Sequence, residues 1–198
     1  MKSFGFLPLV FRLRFQNRWA TMQCKEEENV LEHSAIVAYL AMTAGMFNDK
    51  LNLSYMVNHA LLHDCSEAIC QDVISPVKNA TPEMAAAYDT IEKNAIEQMI
   101  ASAPPMLRDK LRFYFTGDSS VEYETQLVKA LDKYAAYLKA KREGTLGNET
   151  EFHDAYQKEK LRVEQLCEQF PELSQIDFYF WESLDLSIDA LLGQIKGV

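Results

Sequence analysis

The chain has 198 residues, 48% hydrophobic and 25% charged, with 20 Lys and Arg against 29 Asp and Glu and a formal charge of -9. That length suits a single domain and buries about 70% of the surface its unfolded form exposes, so no disulfide staples are needed. A surface this acidic repels duplex nucleic acid and anionic lipid at long range, which disfavours a polymer-binding or membrane-bound role and leaves a small anion met by a few basic residues.

Only 7 Gly and 6 Pro occur and β-branched runs are scarce, so helix is favoured throughout. Cys24, Cys65, Cys70 and Cys167 form no Cys-x-x-Cys pair, as expected of reduced thiols in a cytoplasmic protein. The first 19 residues are apolar in places, but Pro8, Arg12, Arg14 and Arg18 interrupt them as neither a signal peptide nor a membrane span would allow. No stretch approaches 18 uninterrupted apolar residues.

In chain order, a short helix is expected over Leu7 to Phe15 with Leu9, Val10 and Leu13 inward. Arg18-Trp19 then places a guanidinium beside an indole at the mouth of a loop, which suits either a surface cation with a core anchor or a phosphate fork with a sugar-facing wall. Asn29 with Glu32 predicts a capping box opening a helix with Ile36, Val37, Leu40, Ala41 and Ala44 buried. His33 extends that stripe, as a core histidine or as a ligand.

Leu53 to Ile69 reads as one helix capped by Ser54, with Val57, Ala60, Leu61 and Leu62 in the core. On that helix Asp64 lies about 100° and Glu67 about 40° from His63, so three polar groups share one sector. Groups of this kind among apolar neighbours are costly unless paired or bound to a cation. His59 one turn earlier reads as packing, because residue 60 is Ala where a zinc protease helix carries Glu.

Pro76 is expected to break the helical pattern, leaving Gln71 to Lys78 as a loop in which Ser75 and Lys78 either meet phosphate or are simply solvated. Thr81-Pro82 opens a long helix with Ile91, Ala95, Ile96, Met99 and Ile100 inward, ended by Pro104-Pro105. A shorter helix through Leu107, Leu111 and Tyr114 and a loop over 116–120 follow. Val121 to Arg142 is helical, with Leu127, Leu131, Tyr134, Ala135 and Leu138 inward and Asp132 on the apolar flank. A charged helix, about 149–169, carries His153 toward solvent and ends at Pro171. Phe178 to Trp181 and a last helix with Leu184, Ile188, Leu191, Leu192 and Ile195 serve either core closure or a dimer surface.

His33, His63, Asp64 and Asp132 thus stand out. Two imidazoles and two carboxylates suit a borderline divalent transition metal (Co, Mn, Zn, Fe, Ni or Cu) better than Mg or Ca. A bound ion would offset the desolvation of both carboxylates and lower the pKa of its water from 15.7 toward about 7.

The order His33, His63-Asp64, Asp132 resembles the signature of the HD-domain metal-dependent phosphohydrolases. Together with Asn17-Arg18-Trp19, Glu28-Asn29-Val30, Glu32-His33-Ser34, Cys65-Ser66-Glu67, Asp72, Ser75-Pro76-Val77-Lys78 and Leu127-Val128-Lys129, it is similar to the YfbR-like 5'-deoxynucleotidases. The resemblance covers about residues 4–142 and fades in the C-terminal helices, about 149–195.

It implies an all-α HD-domain helical bundle, with one domain over residues 1–198, working as a homodimer. One divalent cation would be held by His33, His63, Asp64 and Asp132. Arg18 would orient the phosphate, Trp19 would crowd a 2'-hydroxyl, and Glu67 would act as acid/base. Asp72, Val73, Ile74 and Ser75, with His33, Asp64 and Asp132 alongside, would contact a deoxyribonucleoside 5'-monophosphate. The chain departs from the family pattern at Gln71, where glycine is common, at Cys65 and at Lys133. Triphosphates, cyclic nucleotides or guanosine tetraphosphate are the rival substrates, although polyphosphates need more cations than Arg18 and Lys78. A non-catalytic ligand-sensing module is the remaining rival.

Overall fold

Short oxygen-bearing side chains start three of the helices of the computed structural model, which describes residues 3–195. Asn29 accepts from Glu32 N while the Glu32 carboxylate accepts from Asn29 N, completing the capping box of α2 (Val30–Phe47). Asn52, rather than Ser54, caps α3 (Leu53–Leu62) by accepting from Tyr55 N. Thr81 accepts from Met84 N to open α6 (Pro82–Ala101). The remaining helices are α1 (Phe6–Val10), α4 (Glu67–Cys70), α5 (Ser75–Lys78), α7 (Arg108–Thr116), α8 (Glu122–Thr145), α9 (Glu149–Gln169), α10 (Pro171–Phe180) and α11 (Ile188–Ile195). Among the described residues there is no strand, only an isolated bridge between Asn17 and Asn29, and the fold is all-α.

Two apolar clusters form the interior. The larger joins α2, α3, α8, α9 and α10 through Val37, Ala41, Met56, Leu131, Tyr134, Val163 and Leu173. The smaller joins the N-terminal turns to α6 and α7 through Leu13, Val30, Cys65, Met99, Ile100 and Phe115. Val30 belongs to the second cluster and Val37 to the first, so His33 between them lies on the seam. Cys65 and Ala60 bracket His63 and Asp64 in the same way. The polar site is thereby held by packed surfaces on both sides, each fully buried Leu adding about 1.5–3 kcal/mol of transfer energy.

Several local expectations are corrected. The helix from Leu53 stops at Leu62, where the His63 ring turns back so that Nδ1 donates to Ala60 O at 2.7 Å. Residues 63–66 instead wind more tightly, with Cys65 N donating to Leu62 O and Glu67 N to Asp64 O. Pro76 sits inside the first turn of α5, where its missing N–H costs nothing, so the loop expected over 71–78 is half helical. Part of the 116–120 loop is likewise a 3₁₀ turn, Ser119–Val121.

Ile36, Leu61 and Ile91, expected inside, are exposed. No residue of α11 is buried, so that helix does not close the core. α2 is long and apolar enough by composition to cross a membrane, with a mean hydropathy of 1.4 over 18 residues, although His33 and Ser34 lie buried within it.

Candidate active site

Four elements deliver the site. His33 comes from the second turn of α2, His63 and Asp64 from the tight winding after α3, Asp132 from the middle of α8, and Arg18 from the loop before α2. Backbone pairing fixes that loop, with Arg18 N donating to Glu28 O at 2.8 Å and Val30 N to Gln16 O at 2.9 Å. Arg18 therefore projects over the start of α2.

The acidic and imidazole groups converge as the residue pattern anticipated. His33 Nε2 lies 2.9 Å from Asp132 Oδ1 and 3.8 Å from Asp64 Oδ2. His63 Nε2 lies 3.1 Å from Asp64 Oδ2 and 3.9 Å from Asp132 Oδ1. Ligand atoms of His33, His63 and Asp64 all fall within 4.8 Å of one another. Arg18 leans in from above, its Nη1 3.0 Å from Asp64 Oδ2 and its Nη2 4.0 Å from Asp132 Oδ1. Lys133 Nζ reaches the other Asp132 oxygen at 2.6 Å.

The titration pattern follows from these contacts. Burial pushes the Asp64 carboxyl up, but His63 and then Arg18 outweigh it and hold the group at about 2. Burial opposes ionisation of Asp132 too, and His33, Lys133 and His63 keep it well below the usual carboxylate range. Loss of water works against a charged His63, yet Asp64 and Asp132 raise it. Glu28 is likewise lowered against its burial, by His33, Arg18 and Trp19.

Glu67 is the opposite case. Burial first, then the Asp64 and Asp72 charges, push it up to about 9, so its carboxyl keeps its proton at neutral pH. Its Oε2 is buried and has no hydrogen-bond partner.

The donor set fits a divalent ion. His63 Nδ1 is committed to Ala60 O, which fixes the tautomer and leaves Nε2 buried without a hydrogen bond of acceptable geometry. An unpaired buried imidazole nitrogen flanked by two ionised carboxylates is what a cation would satisfy.

Trp19 is half-buried at φ 59, its indole N–H donating to Glu28 Oε2 at 3.2 Å and its ring packed on Phe152 with centroids 5.4 Å apart. Glu67, Asp72, Val73 and Lys78 line a cavity of about 50 Å³ with Tyr88 and Glu92 of α6, room for one or a few waters. Lys78 Nζ is paired with Glu92 Oε2 at 2.9 Å, which directs it toward α6. Ile74 does not line that cavity and instead offers its carbonyl to α5. Ser75 opens α5, its side chain being outside the described residues. His59 packs, as expected, stacked on Tyr55 with Nδ1 2.9 Å from Tyr114 O.

Sequence reasoning gave no role to Glu28, Phe152, Tyr88 or Glu92. Glu28 had a faint signal, a carboxylate immediately before the capping Asn29. Phe152 and Tyr88 had none, since each meets the site only through tertiary packing.

The model of a family described as YfbR-like 5'-deoxynucleotidase matches residues 5–184. A 5'-deoxynucleotidase of Yersinia pestis is 35% identical over 191 residues, 94% of this chain and 95% of that protein. This chain belongs to the YfbR-like 5'-deoxynucleotidase family. A further 5'-deoxynucleotidase, from Vibrio atlanticus, is 31% identical over 198 residues, 96% of this chain and all of that relative. The family match runs through α9 and α10, past residue 142 where the resemblance was expected to fade.

Among solved structures, an HD-domain phosphohydrolase from Listeria innocua superposes with a TM-score of 0.76 at 21% identity, covering 91% of this chain and 88% of that one. A cyanophage S-2L HD phosphohydrolase bound to dA and one catalytic Zn2+ ion does so with 0.60 at 20% identity, covering 92% and 98%. Both share the fold of this YfbR-like chain.

Proposed function

We propose that this protein hydrolyses deoxyribonucleoside 5'-monophosphates to deoxynucleoside and phosphate, as a metal-dependent phosphomonoesterase. The observation that carries this reading is the meeting of His33, His63, Asp64 and Asp132 beneath Arg18, in a chain of the YfbR-like family. Those four side chains would hold a divalent transition metal, which would supply Lewis acidity and lower the pKa of water at the site.

The remaining chemistry falls to the chain's own groups. Arg18 presents a planar fork to the phosphoryl oxygens and, on binding them, exchanges part of its pairing with Asp64. Trp19 forms the wall against the sugar and leaves little room for a 2'-hydroxyl. Glu67, protonated in its enclosed position, holds the proton that passes to the departing 5'-oxygen. Asp72 and Val73 border the nucleotide near Glu67; Ile74 and Ser75 shape the same loop. Lys78 reaches substrate only by giving up Glu92.

The unpaired thiols of all four cysteines support a reducing, cytoplasmic setting. Ile36, Tyr39 and Met46 on the outer face of α2, with Phe47 stacked on exposed Tyr179, support a homodimer. The net charge of -9 supports a small substrate and neither nucleic-acid polymer nor membrane as partner. Elemental analysis, sedimentation, and phosphate release from deoxy- and ribonucleoside monophosphates test these points together. Equal turnover of both sugar types refutes the Trp19 assignment, and turnover only of triphosphates or cyclic nucleotides refutes the substrate.

A further inference from the structure

We infer that Glu28 is the positioning residue of this site, one buried carboxylate that sets His33, Arg18 and Trp19 relative to one another. The inference rests on the nucleotidase reading only for the substrate used in its last assay. Glu28 is buried, and its two oxygens divide the work. Oε1 faces His33 Nδ1 at 3.7 Å, and Oε2 faces Arg18 Nε at 3.6 Å while accepting the Trp19 indole N–H at 3.2 Å. The carbonyl of the same residue accepts from Arg18 N at 2.8 Å. His33 Nδ1 and Arg18 Nε are buried and make no hydrogen bond, and Glu28 is the carboxylate that faces both within 4 Å.

Each contact has a separate consequence. An imidazole that gives Nε2 to a cation carries its proton on Nδ1, and a carboxylate facing that N–H fixes the ring and raises its basicity. The carboxylate beside Nε draws that edge of the Arg18 guanidinium toward Glu28, leaving Nη1 and Nη2 on the side of Asp64, Asp132 and incoming phosphate. Holding the indole nitrogen sets the tilt of the Trp19 ring, and with it the clearance at the sugar.

Glu28 can position others because it is itself moored on both sides. Glu143, wholly enclosed, accepts from Lys25 N at 2.8 Å and Glu26 N at 3.0 Å, and Lys139 Nζ bonds both Glu143 and Glu26 O. On the other side Asn29 is locked in the capping box.

The test uses the full chain with Glu28→Gln, which keeps an oxygen for the indole but removes the charge, and Glu28→Ala, which removes both. Calorimetric titration with Co2+ or Mn2+ needs no substrate. Glu28→Gln is expected to weaken metal affinity about 10–100-fold and to leave tryptophan emission in place. Glu28→Ala is expected to weaken the metal similarly, to shift the emission to longer wavelength, and to lower the deoxy-to-ribo ratio of kcat/KM. Metal affinity within twofold of the parent in Glu28→Gln overturns the inference. So does unchanged emission together with an unchanged sugar ratio in a folded Glu28→Ala. A parent protein that binds metal but releases no phosphate from deoxynucleotides refutes the substrate instead, while the calorimetric and emission readouts still decide Glu28.

Discussion

Gln71 offers a direct trial of backbone strain at this site. It sits at φ 64, ψ 158 between α4 and the Asp72 loop, a region that glycine alone enters freely. A non-glycine residue held there costs about 1–3 kcal/mol. Replacing it by glycine removes that strain but adds about 0.5–1 kcal/mol of unfolded-state entropy. The Gln71 side chain is exposed, and its N–H, donating to Glu67 O at 2.9 Å, is unaffected by the exchange. The balance is a net gain of about 1 kcal/mol, which in a chain of this size raises Tm by about 2–4 °C. Gln71→Ala keeps the strain and is expected to match the parent. Thermal unfolding of both variants by circular dichroism, metal-free and in one buffer, makes the comparison. If Gln71→Gly melts no higher than Gln71→Ala, the strain is absent and the reasoning fails.

Glu67→Gln keeps the volume of the side chain but has no proton to give, so kcat should fall about 10²–10⁴-fold with KM and metal content unchanged; phosphate release above a tenth of the parent rate refutes the role. Asp64→Asn and Asp132→Asn should each strip the cation, read as metal per chain by elemental analysis after dialysis. Glu143 is drawn down from 4.5 to about 2, against its burial, by Lys139, the Lys25 and Glu26 N–H groups and Asn148. A lowered carboxylate stabilises the fold above pH 4.5 and loses that contribution as pH falls toward 2, about 3 kcal/mol in all. Urea unfolding between pH 6 and about 2 should show this decline, and Glu143→Gln should flatten it. Gly117 holds φ 64, and a Cβ there would stand 2.6 Å from the Tyr55 hydroxyl, so Gly117→Ala should cost more than about 1 kcal/mol in the same assay.

What the sequence could show was what short-range patterns encode. The capping box at Asn29 and Glu32, the Thr81-Pro82 start and the out-of-place carboxylate of Asp132 are each visible within a few residues, and all three recur in the structure. The break after Leu62 was hidden, because the tight turns that follow, Cys65 N to Leu62 O and Glu67 N to Asp64 O, leave no mark in the apolar periodicity. Treating 53–69 as one helix still put His63, Asp64 and Glu67 on one side, since the tight turn brings Glu67 back toward Asp64 by another route. The sequence offers Lys78 to phosphate or to solvent, with no signal that Glu92, on a different helix, pairs with it. The apolar spacing of α11 suited core closure or a dimer surface alike, and nothing local revealed that none of its residues is buried within the chain.

The contact of Trp19 with Phe152, and the bonds from Glu143 and Asn148 to residues 23–26, make the front of this polypeptide depend on its rear. A nick in the turn over 144–147 would spare every cation-binding group yet loosen the strap that carries Arg18 and Trp19. Cleavage or domain insertion there is therefore expected to weaken the placing of Arg18 and Trp19 before it weakens cation binding. Helix α11 takes no part in these bonds, so its loss is expected to leave Arg18 and Trp19 in place.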